Sequence, residues 1–239
     1  MVPMSAYEDV WVVVPLYQEG TVVVDVLSQL LPVFPHVLCV DDGSTDGGGE
    51  KALAAGAAVA THPINLGQGA ALQTGFDWVL GDTDARWVLT FDADGQHCVE
   101  DAAAMVDLAK REDLAIVLGS RFLGPGAAGT PGTSEAPGRG PSRLRRCVLR
   151  VAAVVTRWRT GMHLTDAHNG LRLIRRDALE HVHLDRNRMA HASQIVHQLG
   201  ATGLAWKEYP VRIRYTDYSR SKGQSLLNSV NILVELVMG

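Results

Sequence analysis

Trp87 to His97 read WVLTFDADGQH. An apolar run stops at Asp92, and Asp94, Gln96 and His97 follow almost at once. A buried strand that ends in closely spaced carboxylates needs a reason, because each charge pays for leaving water. Asp92 and Asp94 flank Ala93, so on an extended strand end both point the same way. Two carboxylates so placed repel each other unless a cation lies between them. Hard oxygen ligands with the amide of Gln96 beside them suit Mg2+ or Mn2+. On these residues alone, an ordinary acidic turn at a strand end satisfies the pattern equally well.

Working outward, the same kind of run recurs. Residues 10–15, 36–41, 57–62, 86–92 and 114–120 are short and rich in Val, Leu, Ile and Ala, the composition of strands buried on both faces. Between them, residues 20–31, 47–56, 67–80 and 99–110 carry helical patterning. Strand and helix in alternation predict an α/β fold, a mostly parallel central sheet flanked by helices. Such sheets bind ligands at the carboxyl ends of their strands. The polar residues gather at those ends: Tyr17 and Glu19 after the first strand, Asp41 and Asp42 after the second, Asp92 and Asp94 after the fourth, Arg121 after the fifth.

In VDDGSTDGG, after the second strand, exposed acceptors can meet a base edge or ribose hydroxyls, or simply form a turn and a helix cap. NLGQGAALQTG (65–75) is glycine-rich at a helix start, where backbone amides can contact an anion or a sugar. It follows the third strand, so it is misplaced for a dinucleotide fingerprint and does not support an oxidoreductase.

Residues 124–141 hold six Gly and four Pro among eighteen, the composition of a flexible loop. Beyond it, 142–160 reads as an arginine-rich helix, NGLRLI as a strand, 187–200 as a helix, LAWKEYPVRIRY as a strand and 224–238 as an amphipathic helix, which packs in the core or lies on a membrane or partner.

The chain has 239 residues, 46% hydrophobic and 20% charged, enough for one domain with a sizeable core. Its net charge of −4 hides a strong polarity. Residues 1–138 carry 5 basic and 19 acidic side chains, and residues 139–239 carry 17 and 7. The acidic half suits a cation and the basic half phosphate or an anionic membrane surface. No apolar run reaches the ~18–20 residues of a membrane span, and no signal peptide is evident. Three scattered cysteines, Cys39, Cys98 and Cys147, fit a reducing cytosol and argue against a zinc or disulfide framework. A nucleic-acid binder is disfavoured because an aromatic stacking platform is missing. His62, His163, His181, His183, His191 and His197 read as surface or satisfied polar residues.

Taken in order, VVVPLYQE, VDDGSTDG, NLGQGAALQTGF, FDADGQH and GSRF, followed by DAHNGLRLIRRDAL and EYPVRIRYTDYSRSKGQS, resemble the family 2 glycosyltransferases of the GT-A fold. The last two resemble the dolichyl-phosphate mannose synthase-like, polyprenyl-phosphate glycosyltransferase branch. The likeness runs from Trp11 to about Ser225. It implies a single GT-A domain, with 1–123 as the nucleotide-sugar and metal half and 142–239 as the acceptor half. Pro15, Tyr17, Glu19, Asp41, Asp42, Gly67 and Asp92 would line the nucleotide pocket. Asp92, Asp94 and Gln96 would hold Mg2+ or Mn2+ on the donor diphosphate. Arg121, Arg143, Arg220 and Lys222 would face phosphate, with Asp166 and Asn169 bordering the acceptor; Asp94, Arg121, Asp166, Arg220 and Lys222 form the implied catalytic set. The sequence departs from the family pattern at Gln18, where Asn is usual, at Cys98, where Pro is common, and at Ser193 and Gln194, where relatives often carry a carboxylate.

The implied reaction is inverting transfer from a nucleotide-diphosphate sugar to a polyprenyl phosphate at the cytosolic membrane face. A cytoplasmic, peripheral protein is expected, held by membrane contact or a small membrane-protein partner. Two alternatives are a transferase acting on a hydroxyl with Asp166 as base, and an inert nucleotide-sugar-binding subunit.

Overall fold

The computed structural model describes residues 6–123, 162, 164–185 and 190–214. The Gly/Pro loop, the basic helix with Arg143, and the terminal segment with Arg220 and Lys222 lie outside the described residues. Strand β1 (Val10–Leu16) shows why the sheet forms. Val10, Val12, Val14 and Leu16 belong to one apolar layer and Val13 to the other, so period-two alternation buries both faces. It pairs in parallel with β2 (His36–Asp41) on one side and β4 (Trp87–Thr90) on the other. Beyond β2 lies β3 (Ala58–Thr61), also parallel.

The far half of the sheet holds β5 (Ile116–Ser120), β6 (Arg172–Arg175) and β7 (Trp206–Pro210). The order is β3-β2-β1-β4-β6-β5-β7. β6 is inserted antiparallel between β4 and β5, whereas β7 pairs in parallel with β5. The sheet is therefore mostly parallel, as the alternation predicts, with β6 the reversed strand among the described residues.

Helices cover both faces. On one lie α1 (Val23–Leu30), α2 (Gly48–Ala54) and α4 (Val99–Glu112), which bury Val26, Leu27, Leu30, Ala52, Met105 and Val106 against β1, β2 and β4. On the other lie α3 (Gln68–Asp82), the short α5 (Arg176–Leu179) and α6 (Ala190–Ala201), contributing Leu72, Phe76, Leu179, Ile195 and Leu199. Each such large side chain, fully withdrawn from water, stabilises the fold by about 1.5–3 kcal/mol before ordering costs. Helix α4 also carries Glu100 and Asp101 in its first turn and Lys110 and Arg111 in its last, complementing the helix dipole. No helix among the described residues is long and apolar enough to cross a membrane.

This topology fixes where a ligand can bind. The chain runs outward from β1 to β2 and β3 on one side and to β4 on the other, so the connections diverge between β1 and β4. A crevice opens at the carboxyl ends of strands at such a switch point.

Candidate active site

A pocket of about 690 Å³ occupies that crevice. Pro15, Leu16, Tyr17 and Glu19 reach it from the end of β1, Asp42 from β2, and Asn65, Leu66, Gly67, Gln68 and Ala71 from the start of α3. Asp92, Ala93 and Asp94 come from the end of β4. Of the nucleotide-side residues singled out in the sequence, Asp41 is absent from this lining. Its carboxylate accepts the Ser44 N–H at 2.9 Å and is buried.

The expectation of exposed acceptors after β2 needs correction. Asp42 is only 2% exposed. Its Oδ1 accepts the Leu66 N–H at 2.9 Å and its Oδ2 the Gly67 N–H at 2.7 Å. His62 Nδ1 lies 2.7 Å from Oδ1. Asp42 thus borders the pocket while its oxygens hold protein donors. Gly67, at φ 97°, adopts a backbone that other residues rarely tolerate, which lets its N–H turn toward Asp42.

The loop after β1 is sewn to the turn after β2. The Gln18 N–H donates to Ser44 Oγ at 3.1 Å, its side-chain amide to Thr45 Oγ1 at 3.0 Å, and the Gly20 N–H to Asp46 Oδ2 at 2.7 Å. Gln18 sits at φ 55°, in the left-handed region that Asn enters more readily than Gln. That is a physical reason for the Asn usual at this point; here the longer amide reaches Thr45 instead.

At the end of β4, Asp92 accepts from Gln68 Nε2 at 3.0 Å through Oδ1 and meets His97 Nε2 at 3.0 Å through Oδ2. Burial works to raise its carboxyl, yet the His97 bond and the charges of His97, Arg172 and His191 outweigh it and hold it below the usual range. Asp94 goes the other way: burial first, then the neighbouring charge of Asp92, push it up. Its Oδ1 accepts the Gln96 N–H at 3.0 Å. Two adjacent carboxylates, one raised by the charge of the other, fit a divalent cation. Among the described residues no set of three His, Cys, Asp or Glu side chains converges on one point. An ion held by Asp92 and Asp94 would be completed by phosphate oxygens, the habit of Mg2+. Gln96 is not part of the pocket lining; its carbonyl accepts the Arg214 N–H at 2.8 Å.

Of the residues expected on the acceptor side, Arg121 is bound to Asp166. Its oxygens take Arg121 Nε at 2.7 Å and an Nη at 2.8 Å, and also the Arg121 backbone N–H at 3.1 Å. Burial alone would raise the Asp166 carboxyl, but these bonds and the guanidinium charge keep it low. The Arg121 side chain stays 40% exposed, with Phe122 beneath its guanidinium. Asn169 is buried; its Oδ1 accepts the Leu171 N–H at 2.9 Å and its Nδ2 has no hydrogen-bond partner among the described residues.

Several contributors were not singled out from sequence. Arg172 is buried at 3% exposure; burial lowers it to about 10, while Asp92 and Asp166 support its charge. Glu208 accepts the backbone N–H groups of Thr165 and Asp166 at 2.8 and 3.1 Å, fixing the turn that carries Asp166. His97 and Gln68 orient Asp92. These roles depend on contacts between segments far apart in the chain, and only the proximity of His97 to Asp92 was visible locally.

Comparison with known proteins identifies the family and the fold. Residues 11–183 match the model for glycosyl transferase family 2. The chain is 31% identical over 232 residues to polyprenol monophosphomannose synthase of Mycolicibacterium smegmatis, covering 92% of this chain and 82% of that protein. It is 24% identical to the UDP-N-acetylglucosamine–dolichyl-phosphate N-acetylglucosaminyltransferase of Methanococcus voltae, over 96% and 95% of the two chains. The fold matches glucosyl-3-phosphoglycerate synthase of M. tuberculosis with a TM-score of 0.65 at 18% identity, over 95% of this chain and 77% of that one. With a family model spanning most of its length and a pocket at the GT-A switch point, the chain belongs to glycosyl transferase family 2.

Proposed function

We propose that the protein transfers a sugar, with inversion and with the help of a divalent metal, from a nucleotide-diphosphate sugar to a polyprenyl phosphate at the cytosolic face of the membrane. The observation that carries the donor half is the pair Asp92 and Asp94 in the pocket, one held low and the other raised. These two residues would hold the metal, which when bound would offset charge on the leaving diphosphate as a Lewis acid. His97 and Gln68 keep Asp92 turned for that task. Tyr17, Glu19 and the 65–68 wall would enclose the nucleotide.

The acceptor half rests on Arg121. In the displacement, an acceptor oxygen forms the bond to the anomeric carbon while the bond to the diphosphate breaks, and the nucleotide leaves as its diphosphate. A hydroxyl acceptor must lose a proton and wants a base. Asp166 suits that role poorly, because its carboxyl is held low and both oxygens grip Arg121. A lipid phosphate is already anionic, its second pKa being about 6 as for other phosphate monoesters. It needs only positioning, which Arg121 can supply by preorganised charge. The relatives from M. smegmatis and M. voltae are named for polyprenol and dolichyl-phosphate products or acceptors, which supports the same choice. Replacing Asp94 by Asn tests the donor half: turnover falls at least about 100-fold with the circular dichroism spectrum retained, and unchanged turnover contradicts the assignment.

A further inference from the structure

We propose that His62 is a positioning residue for the donor pocket, holding Asp42 in the orientation from which its carboxylate fixes the 65–67 wall. The inference rests on reading this pocket as the nucleotide-sugar site. His62 is 9% exposed and links three elements. Its backbone N–H donates to the Asp41 carbonyl at 2.8 Å, at the end of β2. Its Nδ1 meets Asp42 Oδ1 at 2.7 Å, and its Nε2 meets Thr74 Oγ1, on α3, at 2.9 Å. A carboxylate only accepts, so Nδ1 carries a proton toward Asp42.

The resemblance to a hydroxyl–imidazole–carboxylate relay is one of shape. Thr74 sits within helix α3 and is not part of the pocket lining, so no substrate atom is placed for it to attack. What the chain of bonds does is mechanical. Residues 63–66 are exposed, with Ile64 at 64% and Leu66 at 42%, so burial of apolar surface does little to hold this loop. Asp42 is what ties it down, through the Leu66 and Gly67 N–H groups. Without the imidazole, the buried carboxylate keeps the Leu66 and Gly67 N–H groups but loses its side-chain donor, so both it and the loop are held less firmly. Buried hydrogen-bonded networks of this kind specify a single geometry. Nucleotide binding then includes the cost of ordering the wall.

The test is calorimetric titration of UDP and of GDP, with MnCl2, into wild type, His62→Asn, His62→Leu and Thr74→Val, with melting curves for each. The Asn amide can keep the donor toward Asp42. His62→Asn is expected to bind within about three-fold of wild type, and His62→Leu at least about ten-fold more weakly, as one lost buried bond implies. In turnover with saturating acceptor, His62→Leu raises KM for the donor and leaves kcat nearly unchanged. Wild-type affinity in His62→Leu overturns the proposal. If His62→Leu does not fold, Thr74→Val decides: weaker nucleotide binding at an unchanged melting temperature supports it, and wild-type affinity overturns it. Failure of wild type to bind either nucleotide instead removes the donor-site reading on which the proposal stands.

Discussion

Gly170 packs against Asp92 so closely that a side chain on it would overlap the carboxylate, at both oxygens and at Cγ. The hydroxyl of Thr90, in the strand that leads to Asp92, donates to the Gly170 carbonyl at 2.5 Å. The glycine before β6 and the carboxylate after β4 therefore share one space. Gly170→Ala pushes Asp92 away from His97 and Gln68. Misplacing a reacting group by about 1 Å costs roughly 100-fold in rate. We expect that loss of turnover, together with weaker Mn2+ binding by calorimetry. Full activity in Gly170→Ala would show that the position of Asp92 does not matter.

The pair of Arg121 and Asp166 gives a pH prediction with a definite sign. Asp166 is held below its ordinary value, so the stabilisation it lends is fully present above the unfolded value of about 3.9 and is lost as pH falls through the lower folded value. Removing one partner of a buried pair costs about 3–5 kcal/mol; with Arg121 40% exposed, about 1–3 kcal/mol is expected for Asp166→Asn at pH 7. Urea unfolding measures this. The gap between variant and wild type should hold down to about pH 4 and narrow below it. A gap that closes between pH 7 and pH 5 contradicts the low carboxyl.

Arg172 is buried, and its charge is supported by both Asp92, at the end of β4, and Asp166. Arg172→Met leaves the buried Asp166 and the partly exposed Asp92 without that counter-charge and should destabilise the fold by about 1–3 kcal/mol. Arg172→Lys keeps the charge and should recover part of it, though not the planar donor fork. Equal stability of the Met variant and wild type would mean that other groups already balance the two acids.

The first half of the fold was legible because most of its strands are buried on both faces, the edge strand β3 excepted. The stretches 37–40 and 114–118 are apolar throughout; the first falls within β2 and the second runs into β5. The strand in NGLRLI was legible too, but its place was not. That β6 runs antiparallel between β4 and β5 depends on long-range pairing that local pattern does not carry. In the site, Asp92 and Asp94 announce themselves as carboxylates at a strand end. Asp42 looked like an exposed acceptor, since nothing local shows that the Leu66 and Gly67 N–H groups fold back onto it. His62 read as a satisfied polar residue, which it is; what it holds in place became visible only with α3 laid beside β2.

The most direct test of the whole account is to incubate the protein with UDP-, GDP- and dTDP-sugars, with and without undecaprenyl phosphate, in Mg2+, Mn2+ or chelator. Products are read by mass spectrometry. The account predicts a glycosyl phospholipid that appears with one donor, requires the lipid phosphate and vanishes with chelator. Sugar transferred to a hydroxyl acceptor in place of the lipid phosphate, or lipid product formed equally well in chelator, would contradict it.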